Sequence, residues 1–466
     1  MSCARNLFVL LAVLLVFAAT ACSRPRPPRA VVILVDTLRR DSLGCYGAPL
    51  DPTPIIDGLA GEGVRFEQAI SSSGWTLPSV ASLLTGTWPS IHKALGKSTR
   101  LTPISADVPT AAEAFSEAGF TTLAVANAAF LSPVLGLDRG FDIFDHRPAF
   151  NDRIRPAGES VDTALGMLAD HPDEPVLLLL HLFDPHLDYA PAPRLAARFI
   201  PNPREPALPI SAQDCLDIRG PGGGPPAAED QEYVTAAYQA EVASVDQAIG
   251  RLFAGLRELD MYEDTWIILT ADHGEEFWDH GAFEHGHTLY DELVRVPLII
   301  RPPAASEHGI AVVESQVRVL DVMPTLFDAF GETQPTSFVG SSLLTVMGGT
   351  DRADRIAYSE STLYGADKIA FRNRRYKYVR NRGERARVPE ELYDWRTDPG
   401  ETENLIERRP DLASELRAEL AAFDASIQGE VARTRAGEVE DINPATIESY
   451  EKSLESLGYA DTSTGK

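Results

Sequence analysis

The chain has 466 residues, 44% of them hydrophobic and 24% charged, and a formal net charge of −26. That length and apolar content suit one large α/β domain, alone or with a smaller appendage. The acidic balance excludes nucleic acid and an anionic membrane surface as principal partners, so an anionic substrate needs local compensation from metal ions, histidines or a helix N-terminus.

The N-terminus reads as a targeting segment. Arg5 precedes an apolar stretch from Leu7 to Ala19, too short to span a bilayer comfortably, and small residues then lead into Cys22 in Ala19-Thr20-Ala21-Cys22. The pattern of residues 1–21 resembles a bacterial lipoprotein signal, in which Cys22 is acylated and becomes the first residue. An ordinary secretory signal cleaved near Ala21 is the alternative. Residues 22–29, with Arg24-Pro25-Arg26-Pro27-Pro28-Arg29, make an extended tether between lipid and domain. The location expected is the bacterial cell envelope, lipid-anchored, on the outer membrane or its periplasmic face. Cys3 leaves with the signal, and Cys45 and Cys215 are paired or free.

Downstream, strands and helices alternate, which predicts a mostly parallel sheet covered by helices on both faces. The apolar run Val31–Val35 is a buried strand that ends in Asp36. In Gly74-Trp75-Thr76-Leu77-Pro78, Pro78 marks a first helical turn and Gly86 its stop, which puts Thr76 at a helix N-terminus. A hydroxyl there either caps the helix or faces an anionic ester across the positive end of the helix dipole. Thr110–Ala118 reads as a helix, and Thr121–Ala126 and Val176–Leu180 as strands. The last leads into His181-Leu182-Phe183-Asp184-Pro185-His186. Residues 191–228, rich in Pro and Gly, form a long irregular insertion, and Tyr233–Leu256 a long amphipathic helix. Trp266–Thr270 is a second apolar strand, ending in Asp272-His273-Gly274. A cluster running from Asp279 to His287 feeds a helix-like Leu289–Val294, and Val296–Ile300 is a further strand.

Ligands of open parallel sheets bind beyond the carboxyl ends of the strands, so strands delivering acid and imidazole to one edge make a cation-binding crest. Six of the ten histidines, His181, His186, His273, His280, His285 and His287, fall in these segments, which is not a pattern of surface decoration.

These residues resemble the sulfatase family of the alkaline phosphatase superfamily along almost the whole mature chain. Val35-Asp36-Thr37 through Cys45-Tyr46-Gly47 looks like the first metal-binding strand and Thr76–Gly86 like the nucleophile motif. Asp184-Pro185-His186 resembles the internal histidine motif, and Thr270–Glu275 the second metal-binding strand. Tyr376-Lys377-Tyr378, Glu391–Trp395, Asp398–Glu401 and Asn404-Leu405 resemble the C-terminal signature. The resemblance implies an alkaline-phosphatase-like α/β catalytic domain over residues 30–350, an α+β subdomain over 357–430 that includes a helix from Pro410 to Ile427, and a tail over 431–466 with a short helix starting at Asn443. That helix carries an apolar stripe of Ile447, Tyr450, Leu454 and Leu457.

Three departures bear on mechanism. Typical members carry Cys-x-Pro-x-Arg, whereas this chain has Thr76-Leu77-Pro78-Ser79-Val80; Thr76 cannot become formylglycine and Val80 cannot supply the arginine. His273 stands where calcium-binding members have Asn, which shifts the expected divalent cation toward zinc or manganese, with calcium the alternative. His287 occupies the position of a substrate-binding lysine. The implied site has Asp36, Asp272 and His273 holding the cation beside Thr76, whose hydroxyl becomes a nucleophile once its pKa is lowered. His186 and His287 assist catalysis, or join Asp184 around a second metal. The expected activity is hydrolysis of a sulfate or phosphate ester of a small molecule, glycan or lipid, with phosphoester chemistry favoured. The competing reading is an inactive envelope lipoprotein that binds an anionic glycan or lipid headgroup.

Overall fold

The computed structural model describes residues 26–434 apart from 98–99, 148–153, 201, 203–209, 212–213, 215–224, 307–310, 352–354 and 383–387. Cys22, the signal, most of the tether, Cys215 and the tail helix lie outside the described residues.

Eight strands form the central sheet: β1 (Arg29–Val35), β2 (Val64–Ile70), β3 (Thr121–Ala126), β4 (Ile143–His146), β5 (Val176–Leu182), β6 (Thr265–Ala271), β7 (Arg295–Arg301) and β8 (Ala311–Arg318). Their spatial order is β8-β2-β7-β6-β1-β5-β3-β4. All neighbours are parallel except β7, which runs antiparallel to both β2 and β6. Every residue of β1, β5 and β6 is buried. These are the near-continuous Val, Ile and Leu runs that a sheet covered on both faces demands.

The helices fall into two groups: the long α5 (Ala228–Glu258) packs on both α1 (Pro54–Glu62) and α4 (Ala157–Asp170), while α2 (Thr76–Thr85) packs on both α3 (Ala111–Glu117) and α6 (Val322–Phe330). Helix α3 starts where the sequence places it, because Thr110 and Glu113 close a reciprocal capping box. A smaller antiparallel sheet of β9 (Ala357–Glu360), β10 (Lys368–Arg372), β11 (Tyr376–Asn381) and β12 (Glu390–Asp394) follows, with α7 (Pro410–Thr434) laid over it. Phe423 of α7 packs its ring on Trp88, Tyr358 and Phe371 and so ties this sheet to the main domain.

Register places the chemistry. Val35, the last residue of β1, pairs with Leu182 of β5 on one side and Ala271 of β6 on the other. Asp36, Phe183 and Asp272 therefore leave the sheet at one level, at its carboxyl edge.

Candidate active site

Asp36 and Asp272 meet across the β1–β6 crest. With His273 they form the group whose ligand atoms all lie within 4.8 Å of one another, the one such group of three among the described residues. All three side chains are buried, at 1% exposure or less. The Asp272 carboxylate accepts hydrogen bonds at Oδ1 from the backbone N–H of His273 (2.8 Å) and of Thr37 (3.3 Å). Its Oδ2 and both oxygens of Asp36 have no hydrogen-bond partner. Three buried carboxylate oxygens without a protein partner are costly, and a cation that joins them would offset that cost.

The donor set fits that cation. His273 Nδ1 lies 2.9 Å from the Gly274 carbonyl, which makes it the N–H side of the ring and leaves the Nε2 lone pair pointing into the cluster. Nε2 is 3.4 Å from Asp272 Oδ2 and 3.8 Å from Asp36 Oδ1. Donors on a four-coordinate ion with bonds of about 2.0–2.1 Å sit roughly 3.4 Å apart. Charge points the same way. Burial raises the Asp36 carboxyl, but His181, His186 and His273 more than offset it and hold it below its ordinary value. Burial and the neighbouring Asp36 charge push Asp272 up to about 6.

Thr76 stands over this group. It is the first residue of α2, at 1% exposure, with its Oγ1 3.3 Å from His273 Nε2. The N-cap position belongs to Trp75, and no side chain caps the helix, so the Thr76 hydroxyl is not a cap. The preceding loop is pinned by Ser79 Oγ donating to the Ser73 carbonyl at 2.9 Å. At Gly74 a Cβ would stand 2.8 Å from the Thr288 carbonyl, so only glycine lets the loop before Thr76 touch the histidine loop at this point.

The remaining histidines separate by partner. His186 Nδ1 lies 2.7 Å from the Leu187 carbonyl and its ring stacks on Phe183, close enough to the crest for Asp36 and His273 to act on its charge. His285 lies against the centre. Its ring centroid is 4.5 Å from that of His273 and 5.2 Å from that of His186, and its Nδ1 is 2.9 Å from the buried Glu275 carboxylate. His181, at the end of β5, has its Nε2 3.4 Å from Asp36 Oδ2. His280 belongs to the scaffold, stacked on Tyr290 and 2.7 Å from Glu292.

The suggested second metal does not assemble. Asp184 turns away and accepts the Ala157 N–H at 2.7 Å at the start of α4, because a free backbone donor at a helix N-terminus is a better partner for a buried acid than distant imidazoles. His287 Nε2 is held 2.8 Å from Glu276 Oε2. Asp184, His186 and His287 thus form no common ligand group among the described residues.

Comparison with known proteins accords with this geometry. A family model described as Sulfatase matches residues 28–332, and a second, N-sulphoglucosamine sulphohydrolase, C-terminal, matches residues 278–426. The chain is 24% identical over 437 residues to the Delta 4,5-hexuronate-2-O-sulfatase of Bacteroides thetaiotaomicron, covering 84% of this chain and 87% of that protein. Among solved structures, a putative sulfatase from Bacteroides thetaiotaomicron superposes with a TM-score of 0.70 at 24% identity, covering 91% of this chain and 96% of the other. The phosphonate monoester hydrolase of Agrobacterium radiobacter superposes with a TM-score of 0.67 at 21% identity, covering 88% and 96%.

Proposed function

The chain belongs to the sulfatase family, and from that membership and the Asp36, Thr76, Asp272 and His273 cluster we propose that it hydrolyses a sulfate or phosphate ester through a covalent Thr76 intermediate, phosphoester chemistry being favoured. The observation that carries the reading is the Thr76 hydroxyl, uncommitted to any cap, 3.3 Å from His273 Nε2.

Asp36, Asp272 and His273 are the residues to hold a divalent cation, which in such a site supplies Lewis-acid stabilisation and lowers the pKa of a neighbouring hydroxyl. Imidazole among the ligands favours zinc or manganese over calcium. Thr76 Oγ loses its proton and attacks sulfur or phosphorus in line with the leaving oxygen. The ester bond breaks, the alcohol departs with a proton, and water then cleaves the Thr76 ester to release sulfate or phosphate and restore the hydroxyl. The N-terminal end of α2 presents its positive pole to the oxygens of the bound group. His186, its Nδ1 2.7 Å from the Leu187 carbonyl, is the imidazole that takes up or returns a proton beside the crest. His287 contributes through Glu276, in which position it supports the loop carrying His285.

The charges that act on Asp36 are those of His181, His186 and His273, so imidazoles surround the crest where the anionic group would bind. The reacting group is carried by a small molecule, a glycan or a lipid. Leu7–Ala19 and Cys22 support anchoring of the enzyme by lipid in the bacterial cell envelope, and Cys22→Ser should release it from the membrane fraction.

The test is an assay of purified protein with nitrophenyl sulfate, nitrophenyl phosphate and a nitrophenyl phosphodiester. Thr76→Ala should lower kcat by at least about a thousandfold while leaving the thermal midpoint in place. Full activity in that variant removes Thr76 from the nucleophile role. A folded, cation-free protein inert to all three esters favours the binding lipoprotein instead.

A further inference from the structure

Two fully buried histidines show opposite behaviour. His92, at 0% exposure, is a satisfied core residue: Ser82 Oγ lies 3.0 Å from its Nε2, and its Nδ1 accepts the Ala94 N–H at 3.1 Å. His181, also at 0% exposure, makes no well-formed hydrogen bond at either ring nitrogen, and the charged neighbour of its Nε2 is Asp36 Oδ2 at 3.4 Å. Burying two unsatisfied imidazole nitrogens is unfavourable by about 1–3 kcal/mol each, and a leucine at the same place would avoid it. The residue is therefore poor for stability alone.

Its surroundings show what the ring faces. His181 pairs with Leu34 in the β1–β5 register, and Asp36, two residues beyond Leu34, projects to the same side of the sheet. The Asn127 side-chain amide donates to the His181 carbonyl and fixes the strand end. The ring places Nε2 3.4 Å from Asp36 Oδ2, on the far side of the carboxylate from His273, which lies 3.8 Å from Oδ1. His181 is not part of the group whose ligand atoms lie within 4.8 Å of one another.

We propose that His181 is a positioning residue of the cation site: its Nε2–H braces Asp36 Oδ2 so that Oδ1 is presented to the ion held with Asp272 and His273. This rests on the assignment of those three residues as ligands. Carboxylate ligands are ordinarily held by a polar partner behind them, and its loss weakens metal binding about 10- to 100-fold.

The experiment measures affinity of the full chain for zinc and for manganese by competition with a chromophoric chelator, alongside thermal midpoints without metal. His181→Leu should bind 10- to 100-fold more weakly while its metal-free midpoint is unchanged or higher. His181→Gln, which restores an amide donor, should recover most of the affinity; a purely structural histidine predicts the reverse, a lower metal-free midpoint and unchanged affinity. Wild-type affinity in His181→Leu overturns the role of His181 alone. Asp272→Asn serves as the reference for the site itself: a wild-type protein that binds neither metal, or whose binding Asp272→Asn leaves intact, removes the site and the brace together.

Discussion

At the residue scale, Asp272 couples the site to pH. Burial and Asp36 raise its carboxyl from an ordinary 3.8 to about 6, so the cation-free folded protein holds a proton there that the unfolded chain releases. The group's stabilising contribution is then present below about pH 4 and lost as pH rises through about 6. A cation binds only the ionised form, so its affinity should fall about tenfold per pH unit below 6. A dissociation constant flat from pH 5 to 7 would take Asp272 out of the ligand set. His280 has the opposite sense. Burial pulls its pKa down, but the Glu292 carboxylate more than reverses this and lifts it to about 9, from an ordinary 6.5. The pair should stabilise the fold below about pH 6.5 and lose that effect as pH rises through about 9, a slope that His280→Gln should flatten in pH-dependent unfolding curves. Asp36, Thr76, Asp272 and His273 were legible in the chain because strand ends and helix starts are local patterns. His181 and His285 were not, since their meaning depends on which ring nitrogen finds a partner across the fold. Asp184 misled for the same reason: its partner, the Ala157 N–H, is set by tertiary packing.

At the element scale, the strands that were easiest to read are those buried on both faces. β2, with Arg65, Glu67 and Gln68 among its seven residues, and β8, with Glu314, Ser315 and Gln316, carry too much polarity to stand out as apolar runs. The antiparallel sense of β7 has no local signature at all. The clasp between the two sheets was also invisible, because its members are single charges far apart in the chain. Lys377 Nζ lies 2.9 Å from Asp291 and 2.8 Å from Glu401, and Arg372 is 3.1 Å from Asp291, all of them buried. Breaking such a network from one side strands the remaining charges. Asp291→Asn and Lys377→Met should each lower unfolding free energy by about 3–5 kcal/mol, measurable by urea titration. A loss below about 1 kcal/mol would mean that water reaches these groups.

At the scale of the whole molecule, a net charge of −26 repels the anionic esters the site is built to receive. Screening that field should raise kcat/KM for an anionic substrate as ionic strength increases from about 0.01 to 0.15 M, over which the Debye length shrinks from about 30 to 8 Å. A falling kcat/KM would reveal a local positive funnel that outweighs the global charge. The smaller sheet also grips the crest through backbone contacts: Ser359 Oγ donates to the Ser71 carbonyl at 2.6 Å, the Glu360 N–H to the Ser72 carbonyl at 2.9 Å, and the Tyr364 N–H to the Gly286 carbonyl at 2.9 Å. Both the loop before Thr76 and the histidine loop are thus shaped by residues that come much later in the chain. A ribosome must therefore carry synthesis past Tyr364 before these loops can settle, so assembly of the crest waits on chain made long after the strands that form it.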